Sequence, residues 1–131
     1  LFVQTKPLLL LTSRVVMLTL SVKPIWAHAI FFCGKDIENR NWFTDFRGTL
    51  LIHSSRKNSL RDLNKFNKFV NFDISNLISG AIIGSVDIVD CVNNSGSKWF
   101  TGQYGFVLKN PRLFTDPIFT TGHHGLWFFN G

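Results

Sequence analysis

Lys35, Asp36, Glu38 and Arg40 fall within the stretch CGKDIENRNW (33–42), two acids and two bases leading into Trp42. The flanks, PIWAHAIFF on one side and TLLIHS on the other, are apolar. In an extended chain alternate side chains share a face, so Asp36, Glu38, Arg40 and Trp42 form one stripe, with Ile37 and Asn39 on the reverse. Glu38 and Arg40, two residues apart on one strand face, are within reach of a charge-assisted contact. Lys35 follows a predicted helix C-terminus, where the dipole tolerates a cation. Such a stripe is either an ion-pair ladder on a solvated edge or the floor of a polar cleft. In a cleft, arginine and lysine suit an anionic backbone, glutamate accepts from a base edge, and tryptophans stack on bases. SKWFTGQYGF (97–106) adds Trp99, Phe100 and Tyr104, in a loop entering a strand, where aromatics are less easily explained as core.

Other chemistries fit the residues less well. The candidate metal ligands are His28, His53, His123, His124, Cys33 and Cys91. No spacing among them puts two side chains on one face, so no metal site and no cofactor are expected. His53-Ser54-Ser55 contains a base and two hydroxyls, but strand neighbours point oppositely, so His53 cannot easily activate Ser54. His53 reads first as a core-edge histidine with a hydrogen-bond partner, and second as a cleft residue. The two cysteines form no CxxC pair and look like buried thiols, which fits a reducing, cytoplasmic setting.

The elements that must position these residues follow from periodicity. MLTLSV (17–22) has the short apolar run of a strand. Pro24 opens a helix where its missing N–H is harmless, and Ile25, Trp26, Ala29, Ile30 and Cys33 recur at helical spacing. Phe31 and Phe32 make that helix apolar nearly all round, and therefore buried. Gly34 stands where a left-handed residue ends it. RGTLLIHS (47–54) is apolar on both faces, a central strand. Ser59 and Asp62 resemble a capping box ahead of a helix with Leu60, Leu63, Phe66 and Val70 on one face and Arg61, Lys65 and Lys68 toward solvent. GAIIGSVDIVDCV (80–92) alternates Ile82, Val86, Ile88 and Val92 against Ser85, Asp87 and Cys91. After the loop NNSGSK, YGFVLKNPRLF and GLWFFN are two more strands, with Asn110-Pro111 and Asp116-Pro117 as breaks. Five or six strands with helices inserted early predict a mixed small barrel or curled sheet. Regular βαβ alternation and a Gly-rich phosphate loop are absent, which excludes nucleotide-binding folds of those types.

The chain of 131 residues, 45% hydrophobic and 17% charged, fits one globular domain. A formal charge of +6 and a pI near 9.8 favour a polyanionic partner. LFVQTKPLLLLTSRVV (1–16) reads as an N-terminal extension outside the core, with the domain at 17–131. PLLLL and the Ala27-His28-Ala29 triplet mimic a signal peptide, but Arg14 and Lys23 interrupt the apolar stretch and cleavage there would cut a helix. No run approaches the roughly 18 apolar residues of a membrane span, so no membrane partner is expected.

LSVKPIWAHAIFFCGKDIENRNWFTDFRGTLLIHSS (19–54) resembles the opening of an ASCH domain, the module named for homology to the activating signal cointegrator-1 proteins. The family's mark is G-x-K-x-x-E-x-R between the first helix and the next strand. Lys35, Glu38 and Arg40 fill the last three places, while Cys33 stands at the glycine position with Gly34 beside it. P-x-W-A (Pro24, Trp26, Ala27), W-x-T-x-x-R-G (Trp42 to Gly48), IIGSVDIVDCV and GLW (Gly125 to Trp127) also match, and the resemblance covers about residues 17–129. It implies an α+β, PUA-like fold: a small mixed β-barrel flanked by helices, with a cleft lined by the charged trio. It further implies binding of RNA or a modified nucleoside, with Trp26, Lys35, Glu38, Arg40, Trp42, His53, Trp99 and Tyr104 as ligand-binding candidates. The alternative it carries is a small hydrolase, a ribonuclease or an amidohydrolase acting on acylated cytidine, with Lys35 and Glu38 as catalytic candidates. Some relatives place a threonine nucleophile where this chain has Glu38.

Overall fold

The computed structural model describes residues 2–4, 16–58, 60–68 and 77–131. Strand β1 is Phe2–Gln4 and β2 is Val16–Val22, followed at once by helix α1, Pro24–Phe32. Strands β3 (Ile37–Arg40) and β4 (Gly48–Ser54) precede helix α2 (Leu60–Phe66). The long strands β5 (Ala81–Val92) and β6 (Tyr104–Phe119) lead to β7 (Leu126–Asn130). All seven strands join one sheet in the order β1-β6-β5-β4-β2-β7, with β3 paired to β6 off that path. β2–β4 and β1–β6 are parallel and the other pairs antiparallel. The result is the α+β architecture expected: a curled mixed sheet, a small half-barrel with two short helices.

The curl has a local cause. Three register shifts interrupt the β5–β6 ladder, at Ile82/Gly84, Ser85/Asp87 and Ile88/Asp90, and each bulge adds right-handed twist. The prolines expected to break the last part of the chain sit inside these irregularities. The three residues Ser85 to Asp87 face the four from Lys109 to Arg112 on β6, and Asn110 there is left-handed at φ 53°. Pro117 falls in the longer excess between Leu113 and Ile118. Proline lacks a ladder donor, and a bulge is where none is needed. β6 is therefore continuous across Asn110-Pro111 and Asp116-Pro117, and its first part pairs with β3 while its later part pairs with β1.

The same shifts change the face of β5. Cys91 is buried with Ile88 in the main core, and Val92 is only partly covered, so simple alternation along 80–92 does not hold. That core packs Leu20, Val22, Leu50, Ile52, Val86 and Phe106 against Ala27, Ile30 and Phe31 of α1. Leu51 faces the reverse side with Met17, Ile82 and Phe114, as a central strand requires. A Cβ added at Gly84 would lie 2.4 Å from the Arg112 carbonyl and 2.6 Å from the Phe31 ring. Glycine is what lets α1 settle on the sheet there.

α1 is less enclosed than its composition implies. Phe32 is 56% exposed, stacked on His28 at 4.7 Å, and Cys33 is half-buried; both lie at the helix end, beyond the sheet. Of the segment 1–16, Phe2–Gln4 runs beside β6 and Val16 opens β2. Residues 1 and 5–15, together with Ser59 and Val70 of the expected second helix, lie outside the described residues.

Candidate functional site

The end of α1 makes the site. The Ala29 carbonyl accepts from the N–H groups of Cys33 (2.9 Å) and Lys35 (3.1 Å). Gly34 between them takes φ 71°, a conformation open to glycine at little expense. This turn folds Lys35 back beneath the helix, where its side chain is 2% exposed. Lys35 Nζ donates to the Ile37 carbonyl and to Glu38 Oε1 at 2.8 Å. Glu38 Oε2 accepts from Arg40 Nε at 3.2 Å and lies 3.1 Å from Arg40 Nη2. Arg40 Nη2 also donates to the Ser21 carbonyl at 2.6 Å, which ties β3 to the end of β2.

Glu38 is buried, and its side chain is only 9% exposed. Burial pushes its carboxyl pKa up, but the charges of Lys35 and Arg40 and their hydrogen bonds outweigh this and hold it below the usual value. A solvated ion-pair ladder does not describe this trio, because two of its three members are enclosed. Removing one partner of such a buried set typically destabilises a fold by about 3–5 kcal/mol, because it strands the other charge.

Three indoles stand around the trio. Trp26, on α1, donates from Nε1 to Asp62 Oδ1 at 3.3 Å, and its ring centroid lies 5.9 Å from Lys35 Nζ, within cation–π range. Trp42 meets Phe106 edge-on at 5.1 Å. Trp99 is buried in the loop between β5 and β6, and Asn39 holds that loop. Asn39 Nδ2 donates to the Trp99 carbonyl at 2.9 Å, while Oδ1 accepts from the N–H groups of Thr101 (2.9 Å) and Gly102 (3.1 Å). Trio and indoles line one cleft of about 760 Å³, within the range of small-ligand sites. Asp62, Lys65 and Lys68 line it from α2 and its end, and Lys23, His124 and Gly125 also contribute. Five cationic side chains thus face the cleft against two carboxylates, and Asp62 is already bridged to Lys23 at 2.6 Å.

Six of the eight residues singled out from the sequence therefore converge: Trp26, Lys35, Glu38, Arg40, Trp42 and Trp99. His53 and Tyr104 do not line the cleft. His53 is buried; its Nε2–H donates to the Thr120 carbonyl at 2.8 Å and its Nδ1 accepts from the Ser21 hydroxyl at 3.2 Å. Burial lowers its pKa, against the opposing effect of the Thr120 hydrogen bond, so the neutral ring fits this network. Trp127 Nε1 completes it by donating to Ser21 Oγ at 3.1 Å. This is the core-edge histidine with its partner. Tyr104 pairs with Arg40 across the β3–β6 ladder, but its ring packs toward the core and meets Phe43 edge-on at 6.0 Å.

Asn39, Lys23, Lys65, Lys68 and His124 are site residues that the sequence reading does not single out. Asn39 is on the reverse of the charged stripe, and the lysines read as ordinary solvent-facing charges. Among the described residues no group of three His, Cys, Asp or Glu could hold a metal ion, and no helix is long and apolar enough to cross a membrane.

No family model matches the chain. The chain is 26% identical over 125 residues to activating signal cointegrator 1 of Homo sapiens, and to the same degree to that of Mus musculus. Each match takes in 82% of this chain and 21% of the relative. The chain thus spans about a fifth of the length of the curated relatives it matches. This distant similarity agrees with the resemblance carried by the motifs, since the ASCH module takes its name from those proteins.

Proposed function

We propose that residues 17–131 form an ASCH-type nucleic-acid-binding module, which holds a nucleotide of single-stranded RNA, or a nucleoside, in the tryptophan-walled cleft. The observation that carries this reading is the convergence of Lys35, Glu38 and Arg40 beneath three indoles in one cavity. Stacking on aromatic rings supplies sequence-tolerant affinity for bases. Lys23, Lys65 and Lys68 suit the phosphates on either side, and Arg40 and Lys35 suit oxygen acceptors within. The formal charge of +6 supports an anionic partner, as does the distant similarity to a cointegrator protein. A reducing, cytoplasmic setting accords with two free cysteines.

The hydrolase alternative has weaker support. A carboxylate whose pKa is held below the ordinary range is a poor general base near neutrality, and Glu38 is such a group. Incubating wild type and Glu38→Gln with acylated cytidines and short RNAs separates the readings. Product release by wild type alone would replace the binding module with an enzyme. For the binding reading, a labelled single-stranded RNA titrated at rising ionic strength should lose affinity steadily, because phosphate contacts release counterions. An isotherm unchanged from low to high salt would contradict it.

A further inference from the structure

Within the charged trio on the floor of the cleft, both glutamate oxygens are already engaged while N–H groups are left over. Glu38 Oε1 accepts from Lys35 at 2.8 Å, and Oε2 accepts from Arg40 Nε at 3.2 Å with Nη2 beside it at 3.1 Å. Asp62, the other carboxylate on the cleft, is turned to Lys23 and to the Trp26 indole. Lys35 Nζ directs two of its N–H groups at Ile37 and Glu38, and the third meets no acceptor among the described residues. Arg40 uses Nε and Nη2, and Nη1 meets no acceptor among the described residues. Ammonium and guanidinium groups donate only. Asn41 and Ser55, which also line the cleft, each carry a donor and an acceptor and serve any base alike.

We infer that the cleft selects a base that turns a carbonyl oxygen to the floor where cytosine and adenine carry an exocyclic amine, a keto base such as uracil or guanine. This rests on the nucleotide-binding reading above and adds the choice of base to it. Uracil offers a carbonyl oxygen where cytosine carries an exocyclic amine. In this floor that amine would oppose the unclaimed Nη1–H groups of Arg40, leaving donors face to face and unpaired. An unmatched buried polar group is far more costly than a merely absent bond. Guanine likewise presents its O6 carbonyl where adenine carries an amine. The three indoles do not discriminate, because every base has a π-face. Affinity and choice thus come from different parts of one cleft: walls for the first, floor for the second.

End-labelled oligouridylate and oligocytidylate of equal length, compared by fluorescence anisotropy at low salt and neutral pH, test this. The two carry the same phosphates and sugars and pyrimidine rings of similar size. Oligouridylate should bind at least about fivefold more tightly. Arg40→Lys, which keeps the charge but removes the free Nη1 donors, should narrow that gap. Equal affinities, or a preference for oligocytidylate, overturn the inference and leave the nucleic-acid reading standing. A uridylate preference that Arg40→Lys leaves unchanged assigns the choice to another group and also overturns it. Failure of both oligomers to bind defeats the nucleic-acid reading itself, and the inference with it.

Discussion

Glu38 accepts from Lys35 on one oxygen and from Arg40 on the other, and that arrangement governs how the domain responds to acid. Its folded-state pKa is below the unfolded value, so the ion pairs contribute their full stability above the ordinary glutamate pKa of about 4.3. That contribution is lost as pH falls from there through the lower folded value. Thermal midpoints measured from about pH 7 to about pH 3 should therefore drop more steeply for wild type than for Glu38→Gln, which has no carboxylate to protonate. Parallel curves would mean that Glu38 is not held as described. At neutral pH the same substitution should destabilise by about 3 kcal/mol, because Lys35 is left buried beside a neutral amide; chemical denaturation reads this directly. At this scale the sequence was informative at Glu38 and Arg40, where charge, spacing and strand period agreed. Lys35 joins them through the Gly34 turn and Trp42 from beyond the end of β3. Asp36 of the expected stripe is exposed and accepts from Ser97 Oγ at 2.6 Å instead of lining the cleft. The sequence was silent on Asn39, whose three hydrogen bonds join residues 60 to 63 positions away, and on Ser21, the partner that holds His53.

Loop and strand meet at Asn39. Its amide is the pin between β3 and the segment carrying Trp99, so Asn39→Ala should loosen that segment without unfolding the sheet. Hydrogen exchange at the Thr101 and Gly102 amides should accelerate markedly while β4 amides stay protected, and ligand affinity should fall with the freed indole. Unchanged exchange at those two amides would show that the loop is held by something else. Gly84 poses a different demand, because the Arg112 carbonyl and Phe31 ring leave no room for a methyl group. Gly84→Ala should destabilise by about 2 kcal/mol, since the nearest obstacle is backbone and cannot swing aside; a denaturant midpoint equal to wild type would refute this. β2, α1 and β4 were legible because apolar pattern, Pro24 and Gly34 all point the same way. β6 was not, because proline is ordinarily a break, and only the register of the neighbouring strand reveals that Pro111 and Pro117 occupy bulges. Bulges also moved Cys91 inward, a shift that alternation within one strand cannot foresee.

Across the whole molecule, five of the fourteen lysines and arginines, Lys23, Lys35, Arg40, Lys65 and Lys68, line one cleft. Each phosphate neutralised on a single strand steepens the dependence of log affinity on log salt by about 0.7. Replacing both Lys65 and Lys68, which are exposed, by glutamine should reduce that slope by up to about 1.4 and leave thermal stability nearly unchanged. A slope identical to wild type would place the phosphates elsewhere. The fold class was legible from strand count and motif order, whereas the size and lining of the cleft depend on how the sheet curls and on α2 meeting α1, which no local pattern encodes. Four tryptophans give the most direct test of the central claim, since Trp26, Trp42 and Trp99 line the cleft and Trp127 does not. Nuclear magnetic resonance of their indole N–H signals during titration with a short single-stranded RNA should show the first three moving together at low salt, with Trp127 much less affected. Movement of Trp127 alone, or of none of the four while the RNA binds, would contradict the account.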